Sequence, residues 1–458
     1  MSLPFSLPTA SSLSQKRRND SVLFVSNEKQ SGTLDVLNAS FLVAGTTIGG
    51  GFLALPTVVA PSGFYPSAIA LLGVWGYFLA QSFILVECIV NHRSERMVRE
   101  DGDGGGGVAA IAKSAFGVKG EVFVGVLLAI LIEATLVSQI SRAGMMFANY
   151  RFGCLFSALS IALVVFGPNS GVGFASKANA ALTSAFLISA LTVFGCGLPM
   201  ADWSNLGNLS SISNNWSSVL PAIPTFLQLL VYGEIIPSVC EILNYDTTRI
   251  HIAIFLGSFL TLSLQVGWSA LGLSLVSRTS TGIDPVNILL ANQGSPVRLP
   301  LYALAFTAIL TTILGSYLAL LSTVTDFLSP QKSGTSNEIT HTYSNSPMHR
   351  LKVASLITIP AIGISCTSPS IFLRAIDFAG SYPVLILWGM MPSAISIVQR
   401  IKNQEKGSYN LHRRTGGSSL WVCFLGVVSS IMVGNHIFKD LTTSLNALGQ
   451  SIFEIFLK

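Results

Sequence analysis

GTTIGGGFLALP, Gly45 to Pro56, lies inside an apolar run from about Leu34 to Ala60. The run is long enough to cross a bilayer, which takes about 20 apolar residues. Three consecutive glycines followed by a proline are nevertheless poor helix formers. Lipid offers an open backbone no hydrogen-bond partners. A broken membrane helix therefore persists only where protein or a water-filled cavity satisfies its amides. Such breaks serve as binding sites, with freed N–H groups facing anions and freed carbonyls facing cations. The alternative is that the glycines merely allow helices to pack closely.

Composition sets the class. The 458 residues are 50% apolar and only 10% charged, with mean hydropathy +0.62. Soluble domains carry about 25% charged residues, so a single soluble domain is excluded. The net charge of +5 fits the positive-inside bias of membrane proteins and does not call for nucleic acid. The six cysteines all fall in apolar segments, without metal or redox spacing, and the six histidines are scattered. Neither set indicates a metal site, and no cofactor motif is present. Paired Asp motifs or a His set, which a membrane-embedded enzyme would need, are likewise missing from the sequence.

Residues 1–32 form a polar tail. It is rich in serine, carries the basic cluster Lys16-Arg17-Arg18, and contains two acids, Asp20 and Glu28. That is the composition of an organellar transit peptide, though an ordinary cytosolic tail has it too.

Hydropathy predicts eleven spans: 34–60, 64–90, 121–148, 152–166, 178–198, 219–243, 250–276, 299–328, 351–366, 371–398 and 418–437. IDPVNILLANQ, between the seventh and eighth, reads as a short surface helix. Leu441, Leu445, Leu448, Ile452 and Ile455 suggest an interfacial tail after the last span. The first and sixth spans both carry breaks, and the fourth and ninth are both short. Two five-helix units related as an inverted repeat would pair the spans in this way. The core is then 33–398, divided into 33–198 and 219–398, with 399–458 appended. Nineteen of the 26 Lys and Arg residues fall on one side if the N-terminus faces the cytosol or stroma.

The break in the sixth span is VYGEIIPSV, Val231 to Val239. Gly233 permits unwinding and Pro237 removes a donor. Glu234 stands near mid-span, where a carboxylate is costly unless protonated, paired or functional. It is a candidate proton carrier or partner of a substrate ammonium, or a structural hydrogen-bonding group. Glu133, in the middle of the third span, has the same alternatives. Thr311 and Thr312 in the eighth span offer hydroxyls to a cation, or bond back to the preceding turn. Asp377 and Tyr382 in the tenth are gate candidates, with an Asp377–Arg374 pair as the plainer reading. Arg142 is expected to reach outward to the interface. Glu87 is expected to be structural.

These residues also carry a family resemblance. GTTIGGGFLALP resembles the opening helix of the tryptophan/tyrosine permease family. ILVECIVN, GGGGVAAIAKSAFG, VSQISRAG, TTILGSYLALLSTVTDFL and AIDFAGSYPVLILWGMMPSAIS resemble successive later segments of that family, over about residues 33–400. The resemblance implies a leucine-transporter-type fold of ten core helices plus one. It implies amino acid transport, coupled to protons in bacterial members. It also implies that Gly45, Thr46, Thr47, Ile48, Gly49 and Gly50 hold the substrate carboxylate, and that Thr311 and Thr312 match a hydroxyl pair. The sixth span departs from the bacterial Phe-His-Gly-Ser-Ile-Pro-Ser pattern. It reads Tyr232-Gly233-Glu234-Ile235-Ile236-Pro237-Ser238, with Glu234 one place beyond the missing histidine. Val231-Tyr232 resembles plant-type members and points to a plastid envelope. The sequence thus yields an expected set: aromatic amino acid substrate contacted by the first-span stretch and by Val231, Tyr232 and Gly233; proton coupling at Glu234 or Glu133; sodium coupling if Thr311 and Thr312 ligate a cation. A carrier of another small solute, or a non-transporting sensor, stays open.

Overall fold

A computed structural model describes residues 32–99, 107–166, 172–206, 216–275, 286, 294–328, 347–405 and 416–456. The tail 1–31 and nearly all of IDPVNILLANQ lie outside the described residues. Every regular element among the described residues is helical. Eight helices are long and apolar enough to cross a membrane, a bent pair makes a ninth span, and Tyr150–Val165 and Lys352–Ser365 are shorter apolar helices. Together they account for the eleven expected segments, with the fourth and ninth short as the sequence predicts.

The first span consists of α1 (Thr33–Thr47), a 3-10 turn (Gly50–Ala54) and α2 (Leu55–Val59). Its two halves meet at 52°. The second is α3 (Phe64–Arg99), and α4 (Val108–Phe116) precedes the third, α5 (Val118–Met145). The fourth and fifth are α6 (Tyr150–Phe166) and α7 (Val172–Gly197). The sixth is again divided, into α8 (Ile223–Leu230), a 3-10 turn (Gly233–Ile235) and α9 (Ile236–Ile242). Then follow α10 (Thr247–Ser274), α11 (Arg298–Leu328) and α12 (Pro347–Ser365). The tenth span is α13 (Ile371–Ala379), a π-helical stretch (Gly380–Met390) and α14 (Met391–Glu405). The eleventh is α15 (Ser419–Phe456).

Packing repeats between the two sets of five spans. α11 runs along α7 as α13 runs along α5. α10 covers α1 and α2 as α3 covers α8 and α9. α12 packs on α5 as α6 packs on α11, while α3 pairs with α10, α5 with α11 and α6 with α12. Each contact recurs when every span is replaced by the one five places further on.

Three observations differ from the sequence reading. The eleventh span does not stop at 437; α15 is one helix of 38 residues. At 1.5 Å per residue it is about 57 Å long, so Leu441 and Leu445 continue the helix of the eleventh span without a break. No proline lies between Ser419 and Phe456 to end it. The tenth span contains eleven residues of π-helix around Pro383. Arg142 does not run outward: it is 3% exposed, and its guanidinium lies 5.1 Å from the Phe372 ring centre.

Glu87 has the structural role expected of it. Arg400 Nε and Nη2 donate to its two carboxylate oxygens at 2.7 and 2.8 Å, and Gly416 N–H and Ser396 Oγ add two more bonds. Arg400 also reaches Ser419 Oγ and Gly417 O. The ion pair is buried and ties α3 to α14 and to the start of α15.

Candidate substrate site at the two helix breaks

The first break is held open by its neighbours. α1 ends where Ile48 N–H bonds Ala44 O, and the chain turns at Gly49, with extended φ and ψ. Phe52 N–H closes the 3-10 turn on Gly49 O. Gly50 N–H donates to Thr312 Oγ1 at 2.8 Å, and that hydroxyl donates back to Ala308 O at 2.8 Å. Among the described residues, no partner is found for the N–H groups of Gly49 and Gly51. Phe52 stacks on Trp268 at 5.4 Å and meets Phe186 edge-on at 6.5 Å, fixing the turn against α10 and α7. Such ring pairs contribute about 0.5–1.5 kcal/mol each beyond burial.

Side chains approach three of the glycines closely. A Cβ on Gly50 would lie 1.9 Å from Gln139 Oε1 on α5. On Gly51 it would lie 2.5 Å from Leu229 Cδ2 on α8, and on Gly49 3.0 Å from Thr312 Oγ1. Gly45 has nothing within 4 Å of such an atom.

At the second break α8 ends at Leu230, and Val231 turns extended. Leu229 O, released from the helix ladder, accepts Gln265 Nε2 at 2.7 Å. The Gly233–Ile235 turn packs on α1, and α9 packs there too, so the two breaks adjoin. Gly233 abuts the Trp388 ring of the π segment, where an added Cβ would come within 2.3 Å.

The expected residues divide into groups. Thr47, Ile48, Gly49, Gly50 and Thr312 are brought together at the first break. Gly45 and Thr46 lie just before it on α1, both exposed. Thr46 and Thr47 hydroxyls bond back to Val43 O, and Thr311 Oγ1 to Ala308 O. Val231 and Gly233 form the second break, where Glu234 is exposed. Tyr232 is buried; with Gly233 it lines a small internal space against Ser82 of α3 and Trp388. Glu133 stands apart from the breaks. It faces a lateral groove of about 630 Å³ between α5, α12 and α13, with Pro360, Arg374 and Phe378 on its walls. Its Oε1 is buried without a protein partner. Asp377 accepts from Thr225 Oγ1, tying α13 to α8, in place of the pair with Arg374. Tyr382 donates to Asp440 of α15 and so points away from the breaks.

One group carries no assigned role in the sequence reading, although Gln139 stands out on the third span. Gln139, Gln228 and Gln265 surround the breaks, and the side-chain oxygen of each is buried with no partner among the described residues. Glutamines inside spans, spaced with Thr135 and Ser138 at helical intervals, were the available signal. The α2 end of the first break is sealed by a separate apolar cluster. It joins Ala54 and Val58 to Phe372, Leu373 and Ile376, and to Met145 of α5.

Comparison with known proteins places this arrangement. The chain is 26% identical over 375 residues to a Haemophilus influenzae protein named tyrosine-specific transport system 1, covering 77% of this chain and 87% of that one. A Pseudomonas aeruginosa tryptophan-specific transport protein is 22% identical over 438 residues, covering 89% and 95%. A solved mutant of an Eremococcus coleocola manganese transporter aligns over 92% of this chain and 96% of its own, with TM-score 0.47 and 14% identity. The tryptophan/tyrosine permease family matches residues 33–433. The chain with the two adjoining breaks is therefore a multi-pass membrane transporter and belongs to the tryptophan/tyrosine permease family.

Proposed function

We propose that this permease carries an aromatic amino acid, tyrosine or tryptophan, by proton symport and alternating access. The observation that carries the proposal is the pair of adjoining breaks. Unpaired N–H groups at Gly49 and Gly51 suit a carboxylate, and buried amide oxygens beside them suit an ammonium. The names of the relatives supply the aromatic side chain. Gly45, Thr46, Thr47, Ile48, Gly49, Gly50, Val231, Tyr232 and Gly233 are assigned to the substrate region. Glu234 and Glu133 are the proton-coupling candidates. Thr311 and Thr312 take that role if sodium is the driving ion. Asp377 is assigned to a gate between α8 and α13, and Tyr382 to its support on α15.

The proposed repeats are 33–198 and 219–398, with 399–458 outside them. The repeated packing supports this division. The proposed location is a plastid envelope with the N-terminus on the stromal or cytosolic side, on the strength of the serine-rich basic tail. Import of a reporter fused to residues 1–32 into isolated plastids tests the location by itself.

Uptake into proteoliposomes tests the function. A panel of amino acids is offered under an inward proton gradient, an inward sodium gradient, or neither. Accumulation of tyrosine or tryptophan with the proton gradient is the expected result. Accumulation driven by sodium alone overturns proton coupling. Uptake of other solutes and neither aromatic amino acid overturns the substrate assignment.

A further inference from the structure

We infer that Gln139 and Gln228 together form the subsite for the ammonium group of the transported amino acid. The inference rests on the amino acid reading above and adds the residues that recognise one end of the substrate. The argument begins with the direction of each amide. Ser138 Oγ donates to Thr135 O at 2.7 Å, so its one proton is committed to the helix. Ser138 Oγ can then only accept, and the atom of Gln139 that faces it at 3.1 Å is Nε2. Thr135 repeats the device. Its hydroxyl donates to Leu131 O at 3.0 Å and accepts Gln228 Nε2 at 3.2 Å. Two back-bonded hydroxyls on one turn of α5 thus fix two amides, each donating one N–H to its hydroxyl and with its oxygen left without a donor among the described residues.

Both oxygens are buried without partners among the described residues, and Gln139 as a whole is 1% exposed. A buried acceptor left unpaired is destabilising, so the pair calls for a donor. Thr135 and Gln139 are four residues apart on one helix face, about 6 Å between side-chain roots. Gln228 is bonded to the first of them, which keeps the two oxygens in one neighbourhood. Gln139 Oε1 also lies against Gly50, the residue between Gly49 and Gly51 in the chain. An acceptor pole therefore adjoins a donor pole, as a substrate with ammonium and carboxylate on one carbon requires. Amides hold an ammonium without titrating. Substrate recognition then does not compete with a carboxyl that must bind and release protons.

The test is equilibrium binding to the purified full-length permease in sodium-free buffer. The ligands are tyrosine and its desamino analogue, 3-(4-hydroxyphenyl)propionate. Gln139→Leu is expected to weaken tyrosine binding by about 10- to 100-fold, the range for a hydrogen bond to a charged group. The analogue's affinity stays unchanged, and Gln139→Glu, which keeps an acceptor, retains the preference for tyrosine. Gln228→Leu gives the same selective loss and serves if Gln139→Leu loses its cooperative thermal transition. An unchanged ratio of tyrosine to analogue in both Leu variants overturns the inference. So does a loss that appears only when sodium is added, since the oxygens then bind an alkali cation. If the wild-type protein favours a different amino acid in the uptake panel, that amino acid and its desamino acid replace the pair. The substrate assignment and the subsite therefore fail separately.

Discussion

Gly45 and Gly50 lie in the same glycine-rich stretch under opposite constraints. Gly45 belongs to α1 and has open space where a Cβ would be, whereas a Cβ on Gly50 overlaps Gln139 Oε1. Gly45→Ala is therefore expected to keep tyrosine affinity within a factor of about 2. It is also expected to raise stability by about 0.5–1 kcal/mol, the usual gain on replacing a helical glycine. Gly50→Ala is expected to lower affinity about 10-fold or more by displacing Gln139, with the fold retained. Equal effects of the two substitutions in a binding titration would count against a site at the break. The carboxyls invite a parallel comparison. Glu234 is exposed at the second break, while Glu133 faces the lateral groove away from it. Coupling needs a group that both breaks influence, which favours Glu234. Glu234→Gln keeps the size but cannot titrate. It is expected to abolish accumulation driven by the proton gradient and to leave counterflow exchange intact, while Glu133→Gln keeps both. The reverse pattern in the same vesicles would transfer the coupling role to Glu133.

Among the helices, the most concentrated polar contact is the Glu87–Arg400 pair. Glu87 is 1% exposed and Arg400 7%, so removing one partner strands a buried charge. That costs about 3–5 kcal/mol, whereas replacing both by apolar residues is often close to neutral. Glu87→Gln and Arg400→Met are each expected to lower the melting temperature strongly. The double variant Glu87→Leu with Arg400→Met is expected to recover much of the loss. Additive losses would mean that the pair does not act as one unit. Glu87 was legible in sequence because a carboxylate at the end of an apolar run needs a partner; Arg400, 313 residues away, was not. The same contrast holds for the breaks. GGG and the Gly233/Pro237 pair announce local unwinding because propensity acts locally. The π stretch Gly380–Met390 has no such signature, since its i→i+5 bonding depends on neighbours. The glutamines were missed for the same reason. Which amide oxygen lacks a donor is decided by hydroxyls and by a helix 89 residues further along the chain, between Gln139 and Gln228.

At the level of the whole molecule, the repeated packing makes the two breaks equivalent, yet the structure treats the two ends differently. Ala54, Phe372 and Ile376 are buried together at the α2 end, with Arg142 against Phe372 and Thr225 bonded to Asp377 nearby. Gly45, Thr46 and Glu234 at the α1 end are exposed. A carrier working by alternating access opens one side at a time, and the buried cluster at α2 leads us to expect the α2 side closed and the α1 side open. With the N-terminus inward, as the Lys and Arg distribution favours, the open side faces the cytosol or stroma. Single cysteines test this in a background where the exposed Cys423 is replaced by serine. Thr46→Cys is expected to react with a membrane-impermeant thiol reagent in inverted vesicles and to resist it in right-side-out vesicles. Ile376→Cys is expected to resist from either side. Asp377→Asn weakens the Thr225 contact and is expected to raise Ile376→Cys reactivity from the opposite face, because the closed end is then released more often. Faster labelling of Ile376→Cys than of Thr46→Cys in the unaltered gate would assign the open side to α2. The direction of access would then be reversed, with the breaks still at the centre of the path.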